Sequence, residues 1–193
     1  MSYNDTYEVL CLMNYEIITK KILANSIMEL VQKKNISDIT VKDIVSNCDL
    51  SRATFYRYFK DKYDLMSWVF QDELNEILKK YPNLNGWREV TFETLNFIYN
   101  KKEYFKNTVQ YRNQNSIIEH ISERTNFYFI SRFKYKFGEN NIPKSLIKSI
   151  DFYCAGISYL LEEWIMHGMI ESPETITNWL CDFIPKILLD AIN

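Results

Sequence analysis

Ile39-Thr40-Val41-Lys42-Asp43-Ile44-Val45, followed by Leu50-Ser51-Arg52-Ala53-Thr54-Phe55-Tyr56-Arg57-Tyr58-Phe59-Lys60-Asp61-Lys62, sets the architecture of the N-terminal part of this chain. Thr40 stands where a helix cap belongs. Asp43, three residues on, can reach back to the exposed backbone donors, as in a capping box with Asp in place of Glu. The helix opened there has an inner stripe of Val41, Ile44, Val45 and Cys48. Asp49, one of the few non-glycine residues that tolerate left-handed backbone, then turns the chain. Ser51 caps a second helix, Arg52 to Phe59, whose Phe55 and Phe59 fall four apart and point inward. Two short helices joined by a tight turn, about residues 40–59, predict a helix-turn-helix.

Outward from this motif the pattern stays helical. From Ile18 to Lys34, Ile22, Leu23, Ile27, Leu30 and Val31 recur three and four apart, with lysines on the other faces. Residues 1–16 are read as a separate extension with weak caps. Lys62 to Lys80 predicts a helix linking two domains, broken by Pro82, Asn83, Asn85 and Gly86. Helices follow near 87–100, 102–110 and 115–136. Asn140 or Asn141 with Pro143 opens a long helix that stops at Gly168, and Ser172 caps a final one that Pro185 kinks or divides. With only four Gly and four Pro in 193 residues, the turns of a many-stranded sheet are missing. The expected fold is all-α: an extension (1–16), an N-terminal helical domain carrying the helix-turn-helix (17–77), and a C-terminal helical bundle (78–193).

Composition narrows the function. Apolar residues make up 47% and charged residues 25%, the balance of a folded globular protein. The four cysteines are scattered, without a C-x-x-C pair or His/Cys cluster, so neither a zinc site nor a disulfide framework is expected. No signal-peptide pattern or bilayer-length apolar run is present, which predicts a cytoplasmic protein. No Gly-rich phosphate loop, nucleophile elbow or His-Glu zinc helix occurs. No catalytic residue, metal or cofactor is therefore expected. The net charge is −2, but residues 20–62 carry nine Lys or Arg against five Asp or Glu. A basic module on an acidic body attracts phosphate locally.

The basic module suggests a duplex-binding face. With Phe55 and Phe59 inward, Arg52, Thr54, Tyr56 and Arg57 project outward. Arginine can read a guanine edge or clamp phosphate, hydroxyls reach phosphate oxygens, and small Ala53 permits close approach. Ser51 and Tyr58 flank this face, while Thr40, Lys42, Lys60 and Lys62 stand at neighbouring helix starts to meet flanking phosphates.

Together, the run from Ile39 to Val45 and that from Leu50 to Leu65 closely resemble the signature of TetR-like transcriptional regulators, over about 50 residues. The resemblance implies a three-helix DNA-binding domain with the Arg52 helix in the major groove, and Tyr56 and Lys62 as phosphate contacts. Asp49 stands where the family usually has Gly, Ala53 where Gly is frequent and Tyr58 where His is common; the last two bear on base choice. The segment Ala155 to Glu174 is similar to one TetR-like subgroup, which includes activators of dihydroxyacetone kinase operons and in which the controlling partner can be a protein.

For the C-terminal part, the stripe Ile147, Ile150, Cys154, Ile157, Leu161 and Trp164, with Ile176, Leu180, Phe183 and Ile187 on the final helix, is expected to form a homodimer interface. A single recognition helix covers too little DNA for tight specific binding, and a two-fold dimer doubles the contacts. Among the 30 aromatics, Trp87, Phe97, Phe127 and Tyr153 are the candidates for an apolar effector pocket. His120 and His167 are read as surface or capping residues. The expected function is a homodimeric repressor that binds a palindromic double-stranded operator and is released by an effector, a small molecule or a partner protein. The alternatives are an activator controlled by a partner protein, a helical adaptor that docks proteins instead of DNA, and a small helical enzyme.

Overall fold

A computed structural model describes residues 3–81, 86–109, 117–138 and 142–192, with side chains from Asn14 to Asp190 except Thr108. The breaker residues Pro82, Asn83 and Asn85, and the cap candidates Asn140 and Asn141, lie outside the described residues. All regular structure among the described residues is helical, and the fold is all-α. Contacts divide the chain into two compact units, 1–70 and 71–193. The division falls seven residues before the boundary drawn from the sequence.

The first unit opens with α1 (Tyr3–Leu30). Residues 1–16 are therefore not a separate extension from residue 3 onward: with no Gly or Pro from Tyr3 to Leu30, the helix continues through them. A single 3₁₀ turn, Ile36–Asp38, leads to α2 (Val41–Asn47) and α3 (Arg52–Tyr58). The capping box at Thr40 is complete: Asp43 N donates to the Thr40 hydroxyl at 3.1 Å, and Thr40 N donates to the Asp43 carboxylate at 2.8 Å. Asp49 takes φ 54°, and Leu50 N returns to the Val45 carbonyl at 2.9 Å, closing α2 with a six-to-one turn of Schellman type. Leu23, Ile27, Ile44, Phe55 and Phe59 form the core, all at most 3% exposed. Beside this core, buried Ser26 donates to the Ile44 carbonyl at 2.7 Å and accepts from the Asn47 amide at 3.2 Å. This polar clasp fixes α2 against α1.

Helix α4 (Lys62–Lys79) begins in the first unit and ends in the second. Asp61 caps it, accepting from Tyr63 N and Asp64 N at 2.8 and 2.9 Å. The second unit continues with α5 (Trp87–Asn100), α6 (Lys102–Val109), α7 (Ile117–Phe137), α8 (Lys144–Met166), α9 (Pro173–Asp182) and α10 (Lys186–Ile192). Helix α8 packs on α6, α7 and α10, and α5 packs on α9. Gly168 at φ 87° ends α8, with Met169 N reaching back to the Trp164 carbonyl at 2.8 Å. The final helix is divided at Pro185, as its missing N–H requires.

Candidate nucleic-acid interface

Anchoring of α3 is settled from its inner side. Phe55 and Phe59 are buried, their rings 5.9 Å apart, and Phe59 meets Trp68 of α4 at 5.9 Å. With these rings fixed, Arg52, Ala53, Tyr56 and Arg57 face solvent. The Arg52 guanidinium lies 6.0 Å from the Tyr56 ring centroid, a cation–π contact that props the arginine on the exposed face. Lys42, Arg52, Arg57 and Lys60 are exposed and make no ion pair among the described residues. Exposed cations without internal carboxylate partners, and an exposed tyrosine hydroxyl on the same helix as two of them, are groups that a phosphate backbone can engage.

The other candidates have internal duties. Hydroxyls of Thr40, Ser51 and Thr54 are committed to caps: Thr40 to Asp43 at 2.7 Å, and Ser51 to Thr54 at 2.8 Å, with Thr54 N donating to Ser51 at 2.9 Å. They shape the helix starts. Tyr58 is half-buried, with the Lys20 ammonium 5.7 Å above its ring. Lys62 departs furthest from expectation. Its ammonium donates to the carbonyls of Ile36, Ser37 and Ile39, so its three hydrogens close the 36–39 turn onto α4. Burial lowers its pKa. An ammonium with all its donors engaged has none left for a phosphate, and Lys62 leaves the contact set.

The second unit holds a cavity of about 130 Å³ walled by α4, α5, α7, α8 and α9, roughly ten times the room that one water needs. Leu74, Leu78, Val90, Leu95 and Ile121 make most of its surface apolar. Thr91 and Thr94 also line it, but their hydroxyls donate to the Trp87 and Val90 carbonyls of their own helix at 2.7 and 2.8 Å. Of the four expected pocket aromatics, Trp87 and Phe127 line this cavity. Phe97 instead packs edge-on against Phe105 at 5.5 Å. Tyr153 is buried and donates to the Leu180 carbonyl, and desolvation raises its pKa. Arg124 and the wall from α4 have no sequence signal, because a cavity arises only where several helices converge.

The expected interface stripe turns inward for the most part. Ile150, Cys154, Ile157, Leu161, Trp164, Ile176 and Leu180 are each at most 4% exposed; they form the core of the second unit, and three of them line the cavity. A second subunit cannot touch side chains that are already covered. Ile147, Phe183 and Ile187 remain exposed. Also exposed, and outside the expected set, are Phe152, Tyr159 and Met166, seven residues apart along α8, with Ile170 beyond it and Trp179 on α9. His120 is half-buried against Gln71 at 2.8 Å, and His167 is an exposed cap of α8. No cluster of three His, Cys, Asp or Glu fit for a metal occurs among the described residues, and no helix there is long and apolar enough to cross a membrane.

Two family models match. That of bacterial regulatory proteins of the tetR family covers residues 24–67, and that of a transcriptional regulator C-terminal region covers 85–186, more than half of the chain. The chain belongs to the TetR family of transcriptional regulators. Among curated TetR-type relatives, the HTH-type dhaKLM operon transcriptional activator DhaS of Lactococcus lactis is 31% identical over 86 residues, 45% of this chain and 46% of that protein. The uncharacterized HTH-type transcriptional regulator YxbF of Bacillus subtilis is 27% identical over 90 residues, 42% of this chain and 23% of that protein. The matched segments thus span less than half of either relative. A solved structure of a dihydroxyacetone kinase operon activator DhaS superposes with TM-score 0.62 at 21% identity, covering 91% of this chain and 97% of that one. That likeness concerns the fold. The tetR-family match runs from the last turns of α1 through α2 and α3 into the start of α4.

Proposed function

We propose that this TetR-family chain is a homodimeric regulator that binds a palindromic operator, represses by occupying it, and is released when a small molecule fills the cavity of its second unit. The observation that carries the reading is the outer face of α3, where Arg52, Tyr56 and Arg57 stand free over a locked Phe55–Phe59 anchor. Pairing of subunits is supported by the exposed stripe of Phe152, Tyr159 and Ile170. Gly156 lies between Phe152 and Tyr159 on the same helix, and a Cβ there would meet nothing within 4 Å of this chain. A mid-helix glycine costs about 1 kcal/mol relative to alanine; close approach of a second backbone gives it a use. Two half-sites then double the phosphate and base contacts. Control runs through α4, which carries cavity wall at Leu74 and Leu78 and begins at the Lys62 closure beside α2. An effector acts by binding one arrangement of the dimer better than another. The site of action is the cytoplasm, where bacterial operators lie.

A second reading, activation instead of repression, is favoured by the matched relative whose name describes a transcriptional activator.

Selection of duplexes from a random DNA pool, at low and moderate salt, tests the proposal. An inverted repeat with steep salt dependence is the expected result. No recovered motif at either salt, with retained helical structure, would favour a protein-docking adaptor. Transcription from a promoter carrying the selected repeat then gives the sign.

A further inference from the structure

We infer that the cavity of the second unit takes an apolar molecule bearing one anionic group, a monocarboxylate in its simplest form, with Arg124 as the residue that selects the charge. This rests on the effector reading above and narrows it to a ligand class.

Arg124, a solvent-exposed residue of α7 between Ile121 and Phe127, contributes to the cavity lining. One of its nitrogens donates to the Asn75 side-chain carbonyl of α4 at 3.0 Å. It makes no ion pair among the described residues, and no Asp or Glu lines the cavity. A guanidinium has five donors in a planar fork shaped for a carboxylate. The bond to Asn75 uses one and holds the group in place, while the remainder have no carboxylate to meet. Nothing else in the wall offers a comparable charge: the Thr91 and Thr94 hydroxyl protons are spent on backbone carbonyls.

The buried indole N–H of Trp87, another lining residue, makes no well-formed hydrogen bond but interacts with the Tyr153 hydroxyl, so Arg124 carries the assignment alone. An apolar chamber whose lining carries one solvent-exposed cation and no acid favours a ligand with a hydrocarbon body and an anionic head. A cationic ligand would meet Arg124 with no counter-charge, and a neutral one would gain nothing from a guanidinium that water already hydrates.

The test uses three probes with one hydrocarbon tail: sodium octanoate, 1-octanol and octylammonium chloride. Binding to the purified chain is read by tryptophan fluorescence and by the shift of the thermal unfolding midpoint. Octanoate is expected to bind roughly tenfold more tightly than octanol, the scale of one charge-assisted contact, with octylammonium weakest. Arg124→Gln removes the octanoate advantage and leaves octanol unchanged, while Arg124→Lys restores part of it. Thr94→Leu, which fills the wall, weakens octanoate and octanol together, placing both in this cavity. Octanol binding as tightly as octanoate, or an octanoate affinity indifferent to Arg124→Gln, overturns the assignment of charge and leaves an apolar effector site standing. Failure of all three probes to bind overturns the assignment and the effector reading together. Octanoate that binds through Arg124 without altering operator affinity supports the assignment and sinks effector control.

Discussion

The Lys62 ammonium donates to the Ile39 carbonyl at 2.8 Å across 23 residues of sequence, and also to the Ile36 and Ser37 carbonyls. This lysine latches the turn before α2 to the start of α4. Lys62→Met leaves those acceptors without their donor and is expected to destabilise the first unit by about 1–3 kcal/mol. If Lys62 instead met a phosphate, its loss would lower the salt dependence of operator binding by about one ion and spare stability. Denaturant unfolding and a salt titration of DNA affinity, run on the same variant, separate the two roles.

Asp43 is held below its ordinary pKa of 3.8, first by its hydrogen bonds with the Thr40 side chain and backbone and further by Lys34. Its carboxylate form is favoured on folding, so its contribution is fully present above pH 3.8 and is lost as pH falls through the lower, folded-state value. The stability gap between the natural chain and Asp43→Ala is therefore expected to be constant near neutrality and to close in acid. Thr40→Ala, which removes the cap itself, costs about 1 kcal/mol. Unfolding curves between neutral pH and about pH 3 check both, the lower limit following from ordinary carboxylate titration; a gap that widens in acid refutes the sign.

Asp49 sits at φ 54° in the turn between α2 and α3. Left-handed backbone costs an L-residue roughly 1 kcal/mol, and glycine avoids that cost. Asp49→Gly should stabilise the first unit by somewhat less than this, because glycine also has more freedom to lose on folding. It also removes a negative charge near the DNA-facing helix, so operator affinity should rise at low salt. A lowered unfolding midpoint would show that the turn depends on the aspartate side chain.

Arg52 lies 6.0 Å from the Tyr56 ring centroid on the exposed side of α3. Tyr56→Phe keeps the ring and removes the hydroxyl; Tyr56→Ala removes both. Operator binding is expected to weaken modestly in the first and more in the second, while Arg52→Ala costs about 1–3 kcal/mol and relaxes choice at the base it reads. Competition between the selected operator and single-base variants measures this. Equal losses for all sequences would place Arg52 on phosphate.

Ile150 and Phe152 stand two residues apart on α8, one fully buried and the other 78% exposed. Ile150→Ala should destabilise the second unit by about 2–5 kcal/mol through the cavity it leaves. Phe152→Glu should hardly change helical structure yet shift the chain towards monomer in sedimentation. Dimers unaffected by both Phe152→Glu and Ile170→Glu would remove the α8 stripe from the interface.

Local chemistry is legible in the residues themselves. The Thr40–Asp43 box, the Ser51 cap, the left-handed turn at Asp49, the inward Phe55 and Phe59, and the division at Pro185 each depend on residues within a few positions of one another. Errors appear where the deciding partner lies far along the chain. Lys62 has the sequence position of a phosphate ligand, but the carbonyls it satisfies are 23 to 26 residues away. The a/d-like stripe of α8 is correct as a stripe, but three- and four-residue spacing marks an apolar face without saying what covers it. Phe97 and Tyr153 are packed aromatics, yet neither is cavity wall.

By itself the sequence determined the helices from α2 onward, the caps at Thr40 and Ser51, the turn at Asp49, the basic character of the N-terminal module and the outward set of Arg52, Tyr56 and Arg57, because backbone satisfaction and hydrophobic period act over one or two turns. Only the tertiary structure decided which α8 stripe is core, that Arg124 joins the wall of an apolar chamber without an acid partner, and that Lys62 is spent on backbone. Those outcomes depend on where five helices converge and on which donors and acceptors burial leaves near one another, and neither is encoded by local spacing.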